Sequence, residues 1–225
     1  GQPRLRRILY LMRGPPGCGK STAARALLAQ HLEAQGVLGL SAGPGLQPFL
    51  PLVRAFVLST DDFFTTVDGS GEAQYDFKPQ AIGKNHERNQ VRCQMAMELG
   101  LTPIIVDNTN AALWEMRPYV DLAQRCGYEV CVVAPRSLSE GALDVDVLEA
   151  RCASGVDRAG GKDIGRHVLE RIVGNFEELP EAEGPRLWGT PPATAAQLSA
   201  ILEAKAPWER KPRRPPQALY AGLDV

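Results

Sequence analysis

A chain of 225 residues with 25 Lys and Arg against 26 Asp and Glu carries a formal net charge of −1. Its hydrophobic fraction of 44% suffices for one α/β domain with a sizeable core, plus a tail. Near-neutrality excludes capture of an anionic polymer by the field of the whole molecule, so a nucleic-acid partner requires a local basic groove.

The first element, RILYLMR (7–13), is apolar and rich in β-formers, which predicts a buried strand. It runs into LMRGPPGCGKST (11–22), with the spacing G-x-x-x-x-G-K-[ST]. A helix is predicted over 21–35, with Ala24, Leu27, Leu28 and Leu32 at helical spacing. Residues 36–51 are rich in Gly and Pro and read as a long surface loop. A second strand is expected over 53–60, leading into DDFF (61–64). A turn-rich stretch covers 68–79, and an amphipathic helix over 80–100 is closed by Gly100. TPIIVDNTN (102–110) predicts a parallel strand with a polar end. A helix over 113–127, ended by Gly127, and a strand over 128–135, stopped by Pro135, come next. Helices are predicted over 144–154 and 163–179. The second has Ile164, Val168, Ile172 and Phe176 on one face and Asp163 placed to cap its start.

Strand–helix alternation predicts an α/β fold of P-loop type, a doubly wound parallel sheet flanked by helices, filling residues 1–179. From 180 to 216 proline and charge rise, which reads as a linker with a short helix near 193–204. Residues 217–225, with ALYAGLDV, read as one more strand, which either joins this sheet's edge or starts a further domain. No apolar run approaches the ~18 residues that span a bilayer, and no secretory pattern is read at the start. Cys18, Cys93, Cys126, Cys131 and Cys152 are scattered, with no C-x-x-C pair. Reduced thiols, a cytoplasmic or nuclear location and no membrane attachment are therefore expected.

Four motifs carry chemistry. In the first, Gly14, Gly17 and Gly19 let the backbone turn tightly, so that the loop (Gly14, Pro15, Gly17, Cys18, Gly19, Lys20, Ser21 and Thr22) wraps nucleotide phosphates and turns its available N–H groups on them. Lys20 adds a point charge and the Ser21 hydroxyl is a ligand for Mg²⁺. In the second, STDDFF, Asp61 or Asp62 at a strand's C-terminal end can orient a hydroxyl and accept its proton, or cap a helix. In the third, Asp107 can hold a water on Mg²⁺, and Asn108 and Asn110 can bond an acceptor or brace the loop. In the fourth, residues 150–166, Arg151, Arg158, Lys162 and Arg166 surround a glycine hinge and suit a mobile lid. Arg151 and Arg158 are the candidate phosphate ligands, while Arg166 and Arg171 read as solvated. His31, His86 and His167 are isolated and read as surface residues, and Trp114 and Tyr119 as core. The basic run from Lys205 to Arg214 reads as solvated linker.

Taken together, RGPPGCGKST, STDDFF, IIVDNTN…WEMRPY and R…GV…I…L…FE resemble the P-loop polynucleotide-kinase-like family over roughly residues 7–179. Within it the pattern is similar to the NEDD4-binding-protein-like kinases and to the N-terminal domain of 2′,3′-cyclic-nucleotide 3′-phosphodiesterase. The resemblance implies a kinase that uses ATP or GTP with Mg²⁺ and transfers the γ-phosphate to the 5′-hydroxyl of RNA or DNA, in RNA end healing or tRNA splicing. It implies Asp61 as general base and Arg151 and Arg158 as lid arginines, with a 2′,3′-cyclic phosphodiesterase domain following. Two positions depart from the pattern. Phe64 stands where phage-type kinases carry an Arg for the substrate phosphate, and Asn108 stands where they carry an Asp. A small-molecule or nucleoside kinase, and a nucleotide-binding scaffold without turnover, are the competing expectations.

Overall fold

The computed structural model describes residues 6–35, 50–67, 73–154, 164–180 and 189–210. At its centre is a four-stranded sheet in the order β2-β5-β1-β6: β1 (Ile8–Met12), β2 (Val57–Leu58), β5 (Ile104–Val106) and β6 (Glu129–Val133). Every pairing is parallel, with Leu9 opposite Ile104, Leu11 opposite Val106 and Leu58 opposite Val106. Parallel strands need crossovers, and here helices supply them on both faces.

The period of two along each strand divides the core. Leu9, Leu11, Leu58, Ile104, Val106 and Val130 face α3 (Ile82–Glu98) and α4 (Arg117–Cys126). Tyr10, Met12, Val57, Ile105, Cys131 and Val133 face α1 (Lys20–Ala34) and α2 (Leu50–Phe56). A smaller apolar cluster sits outside the sheet. Leu148 of α5 (Val145–Ser154) and Leu169 of α6 (Arg166–Gly174) pack there against Cys18 and Ala142. An antiparallel hairpin, β3 (Thr65–Val67) with β4 (Ala73–Tyr75), stands apart from the main sheet.

The fold departs from expectation in four places. Only Val57–Leu58 of the segment 53–60 is strand, because α2 occupies Leu50–Phe56 and turns Val53 into the α1 face of the core. Pro51 lies in the first turn of α2, where a fixed φ favours a helix, so the loop expected over 36–51 ends early; 36–49 lies outside the described residues. The helix expected over 163–179 ends at Gly174, and its fully buried residue is Leu169, with Val168 and Ile172 half-buried. Asp163, and its expected cap, lie outside the described residues.

The fourth departure is the expected linker. α7 (Ala195–Glu203) is capped by the Thr194 side chain and seats Ile201, 0% exposed, in the same core cluster as α3 and α4. Beyond it Ala206 is fully buried, Glu209 pairs with Arg117 at 2.7 Å, and Trp208 meets Trp114 edge-on at 4.9 Å. Residues 189–210 are thus packed onto the domain despite their composition. Residues 211–225, including the expected strand 217–225, lie outside the described residues. No helix among the described residues is long and apolar enough to cross a membrane.

Candidate functional site

In an open parallel sheet, ligands bind beyond the carboxyl ends of the strands, where the strand order reverses. Here the chain leaves β1 for β2 on one side and reaches β6 on the other, so that point lies above β1 and β5. The glycine loop follows β1, Ser59–Asp61 follows β2, and Asp107–Asn110 follows β5. All three sequence motifs therefore meet at one sheet edge, with β2 about 10 Å from β1 across the intervening strand.

The loop needs its glycines for two physical reasons. Gly14 has φ +147°, and a Cβ there would overlap the Cys18 sulfur. Gly17 has φ +80°, and a Cβ there would come within 2.9 Å of the Leu148 carbonyl oxygen on α5. The loop thus turns tightly and lets the α5 helix approach closely. Lys20 Nζ donates to the Pro15 carbonyl at 3.0 Å, which holds the ammonium across the loop. Ser21 is half-buried on the first turn of α1, and Thr22 is exposed beside it. Cys18 is fully buried, and burial pushes its thiol up, so it fills space and offers no accessible nucleophile.

Of the lid arginines, Arg151 is described. Its Nη1 donates to Ser139 Oγ at 2.7 Å, and that hydroxyl donates to the Cys18 carbonyl at 3.2 Å. Arg151 is thereby tied to the phosphate loop through one serine, which the sequence did not single out. Arg158 and Lys162 lie outside the described residues. Arg166 sits among Asp146, Glu149 and Glu170, a solvated network that agrees with its surface reading.

Asp107 is 7% exposed and its Oδ1 is buried without a hydrogen-bond partner. An acceptor-only oxygen left open at this edge is a fitting anchor for a hydrated cation, alongside the Ser21 hydroxyl. Among the described residues no cluster of three or more His, Cys, Asp or Glu could hold a metal ion.

The two Asn candidates serve as braces. Asn108 Oδ1 accepts from the Thr60 backbone N–H at 3.0 Å, and its Nδ2 donates to Tyr119 Oη at 3.2 Å. Asn110, with φ 45°, donates from Nδ2 to the Met12 carbonyl at 2.8 Å. Both are nearly buried, and their hydrogen bonds brace the β5 tip.

The two aspartates separate. Asp62 pairs with Arg92 of α3 at 2.7 Å and so pins the 3-10 turn Thr60–Phe64 to that helix. Asp61, half-buried, instead accepts from Tyr75 Oη of the hairpin at 3.0 Å. His86 reaches the same turn from α3, its Nδ1 3.2 Å from Thr60 Oγ1. Burial pulls the His86 imidazole below its ordinary value, and the Asp61 carboxylate opposes this. His86 was read as a surface residue. The signal that places it inward is the polar line Asn85, His86, Asn89 on one side of an amphipathic helix, with Asn85 and Asn89 buried.

Arg13 is the other group the sequence reading passed over. It is 2% exposed and donates to three carbonyls, those of Asn110 (2.9 Å), Ala111 (2.7 Å) and Glu177 (2.7 Å). The Phe176 ring lies 4.7 Å from its guanidinium carbon. Burial draws the guanidinium down to about 10, against the pull of Glu115 and Glu177. It ties the start of the phosphate loop to the β5 tip and to the segment after α6.

Comparison with known proteins agrees with this geometry. Residues 9–179 match the model of a family described as an AAA domain. Over 128 residues the chain is 40% identical to human NEDD4-binding protein 2, a stretch that covers 57% of this chain and 6% of that relative. The glycine loop on a parallel sheet, the orphaned acidic oxygen beside it and a match over 9–179 lead to one conclusion: the chain belongs to this P-loop AAA-domain family, whose nucleotide-binding scaffold is kinase-like.

Proposed function

We propose that the protein is a polynucleotide 5′-hydroxyl kinase, transferring the γ-phosphate of ATP or GTP to an RNA end. The observation that carries this reading is Asp61. A nucleotide-binding module has no use for a half-buried carboxylate at the sheet edge, held by a tyrosine from a separate hairpin and flanked by a histidine. A phosphotransferase needs one, to orient the attacking hydroxyl and take its proton.

In this reading the loop amides and Lys20 hold the β- and γ-phosphates. Ser21 and, through water, Asp107 hold Mg²⁺, which supplies charge neutralisation on the phosphate oxygens. Asp61 accepts the hydroxyl proton as the oxygen bonds to the γ-phosphorus and the bond to the β,γ-bridging oxygen breaks. Arg151, released from Ser139, and Arg158 close on the transferring group. The relative named above covers only part of its own length here, so RNA end healing, a following cyclic phosphodiesterase domain and a cytoplasmic or nuclear site of action belong to the proposal.

The test is transfer of labelled γ-phosphate to a 5′-hydroxyl oligoribonucleotide with Mg²⁺, comparing the protein with Asp61→Ala. We expect transfer that falls by roughly 10²–10⁴-fold in the variant, with triphosphate binding retained. Transfer to free nucleosides alone would instead make the protein a small-molecule kinase. Triphosphate binding with no transfer to RNA, DNA or nucleoside would leave a binding scaffold.

A further inference from the structure

The turn that carries Asp61 also carries Phe63, and Phe63 meets α3 in an unusual way. The Arg88 guanidinium lies over its ring, 4.3 Å from the centroid. Arg88 is exposed, and apart from the ring its contact is one hydrogen bond from Nη1 to Asn85 Oδ1 at 3.3 Å. Among the described residues no carboxylate neutralises it. Asp62 is taken by Arg92, and Glu87 is directed to the groove between α3 and α4. Phe77 is 48% exposed, with its ring 5.0 Å from that of Phe64, and Ile82 is 42% exposed.

We propose that Phe63 and Arg88 form a stacking and phosphate-contact subsite for the first nucleotides of a single-stranded polynucleotide acceptor, a reading that rests on the kinase function proposed above. An exposed, unpaired guanidinium on an aromatic face presents a flat cation on which a base stacks, and donors that reach a backbone phosphate. Phe77, packed against Phe64 of the same turn, adds a second exposed aromatic ring. Arg88 also places a cation over Phe63, the residue before Phe64. It compensates for the protein's near-neutral charge, because a local patch beside Asp61 holds the strand where the whole-molecule field does not.

The experiment measures anisotropy of a 3′-labelled, 5′-hydroxyl oligoribonucleotide with the full chain and with Phe63→Leu, Arg88→Gln and Arg88→Lys. Phe63→Leu and Arg88→Gln should each weaken binding by about five- to fifty-fold, with thermal midpoint and triphosphate binding unchanged. Arg88→Lys, which keeps the charge and loses the plane, should recover only part. Full recovery by Arg88→Lys overturns the stacking, and unchanged affinity in Phe63→Leu and Arg88→Gln, or no binding by the unaltered chain, overturns the subsite. Binding that depends on both residues without phosphate transfer keeps the subsite and removes the kinase reading, so the two failures are distinguishable.

Discussion

The phosphate loop and the proposed acceptor side of the site are built in different ways. The phosphate loop is a contiguous run whose function resides in backbone shape, set by Gly14 and Gly17 and by the close approach of α5. The acceptor side is assembled from side chains of four separate segments: the turn after β2, the hairpin's Tyr75, His86 and Asn89 of α3, and Asn108 after β5. Backbone sites tolerate few substitutions but are specified locally. Side-chain networks are specified only when distant segments arrive together, and they fail one hydrogen bond at a time.

Arg13 ties the start of the phosphate loop to the β5 tip through a buried guanidinium, so it offers the largest disruption. Arg13→Met keeps the length and strips donors from two buried carbonyls and one part-buried one. We expect a loss of about 3–5 kcal/mol of stability, read from denaturant unfolding, with triphosphate binding and transfer lost together. A variant as stable as the parent would show that the two halves are held together by something other than this guanidinium.

A crossed pair of substitutions sharpens the contrast. Gly17→Ala forces an L-residue into φ +80° against the Leu148 carbonyl, a strain of roughly 1–3 kcal/mol. It should weaken triphosphate binding by about tenfold or more and leave oligonucleotide binding intact. Asn108→Ala removes the acceptor for the Thr60 N–H and one donor to Tyr119, at roughly 1–2 kcal/mol. It should lower transfer and leave triphosphate binding unchanged. Each is measured by calorimetric titration of nucleotide beside the transfer assay. If both variants lose both functions, the halves are one cooperative unit and the distinction fails.

The same distinction explains what was legible in the sequence. The loop, the Asp61 and Asp107 strand ends and the parallel α/β fold could be read because each is a short pattern with a local physical cause. The brace around Asn108 could not, because nothing in IIVDNTN says that Tyr119 and Thr60 will be its partners. Segment 53–60 misled because β-formers such as Val53 and Phe56 also suit a buried helix face when tertiary packing decides. Segment 189–210 misled because proline and charge mask the few residues, Ile201 and Ala206, that anchor it. Arg13, a charge at the end of an apolar strand, carries no local signal of its burial, which depends on the carbonyls of the β5 tip and of Glu177.

The smallest expected effect is on the acceptor side and comes through pH. Burial holds the His86 imidazole below its ordinary value of 6.5, so the folded chain binds its proton less readily than the unfolded chain. The unfolded state then carries more protons in this range, and stability rises with pH up to about 6.5 and is lost as pH falls below it. His31, half-buried against Tyr10, shifts the same way and adds to the slope. His86→Gln should therefore flatten the dependence of the thermal midpoint between pH 7.5 and 5.5 in part, and His31→Gln should remove a further part. Asp61→Asn gives the sharper reading. Its carboxylate raises the His86 value, so removing it should drive the histidine lower still and extend the loss of stability further into acid. An unchanged acid limb in Asp61→Asn would mean that the two side chains do not sense each other, and that the candidate base acts without the histidine beside it.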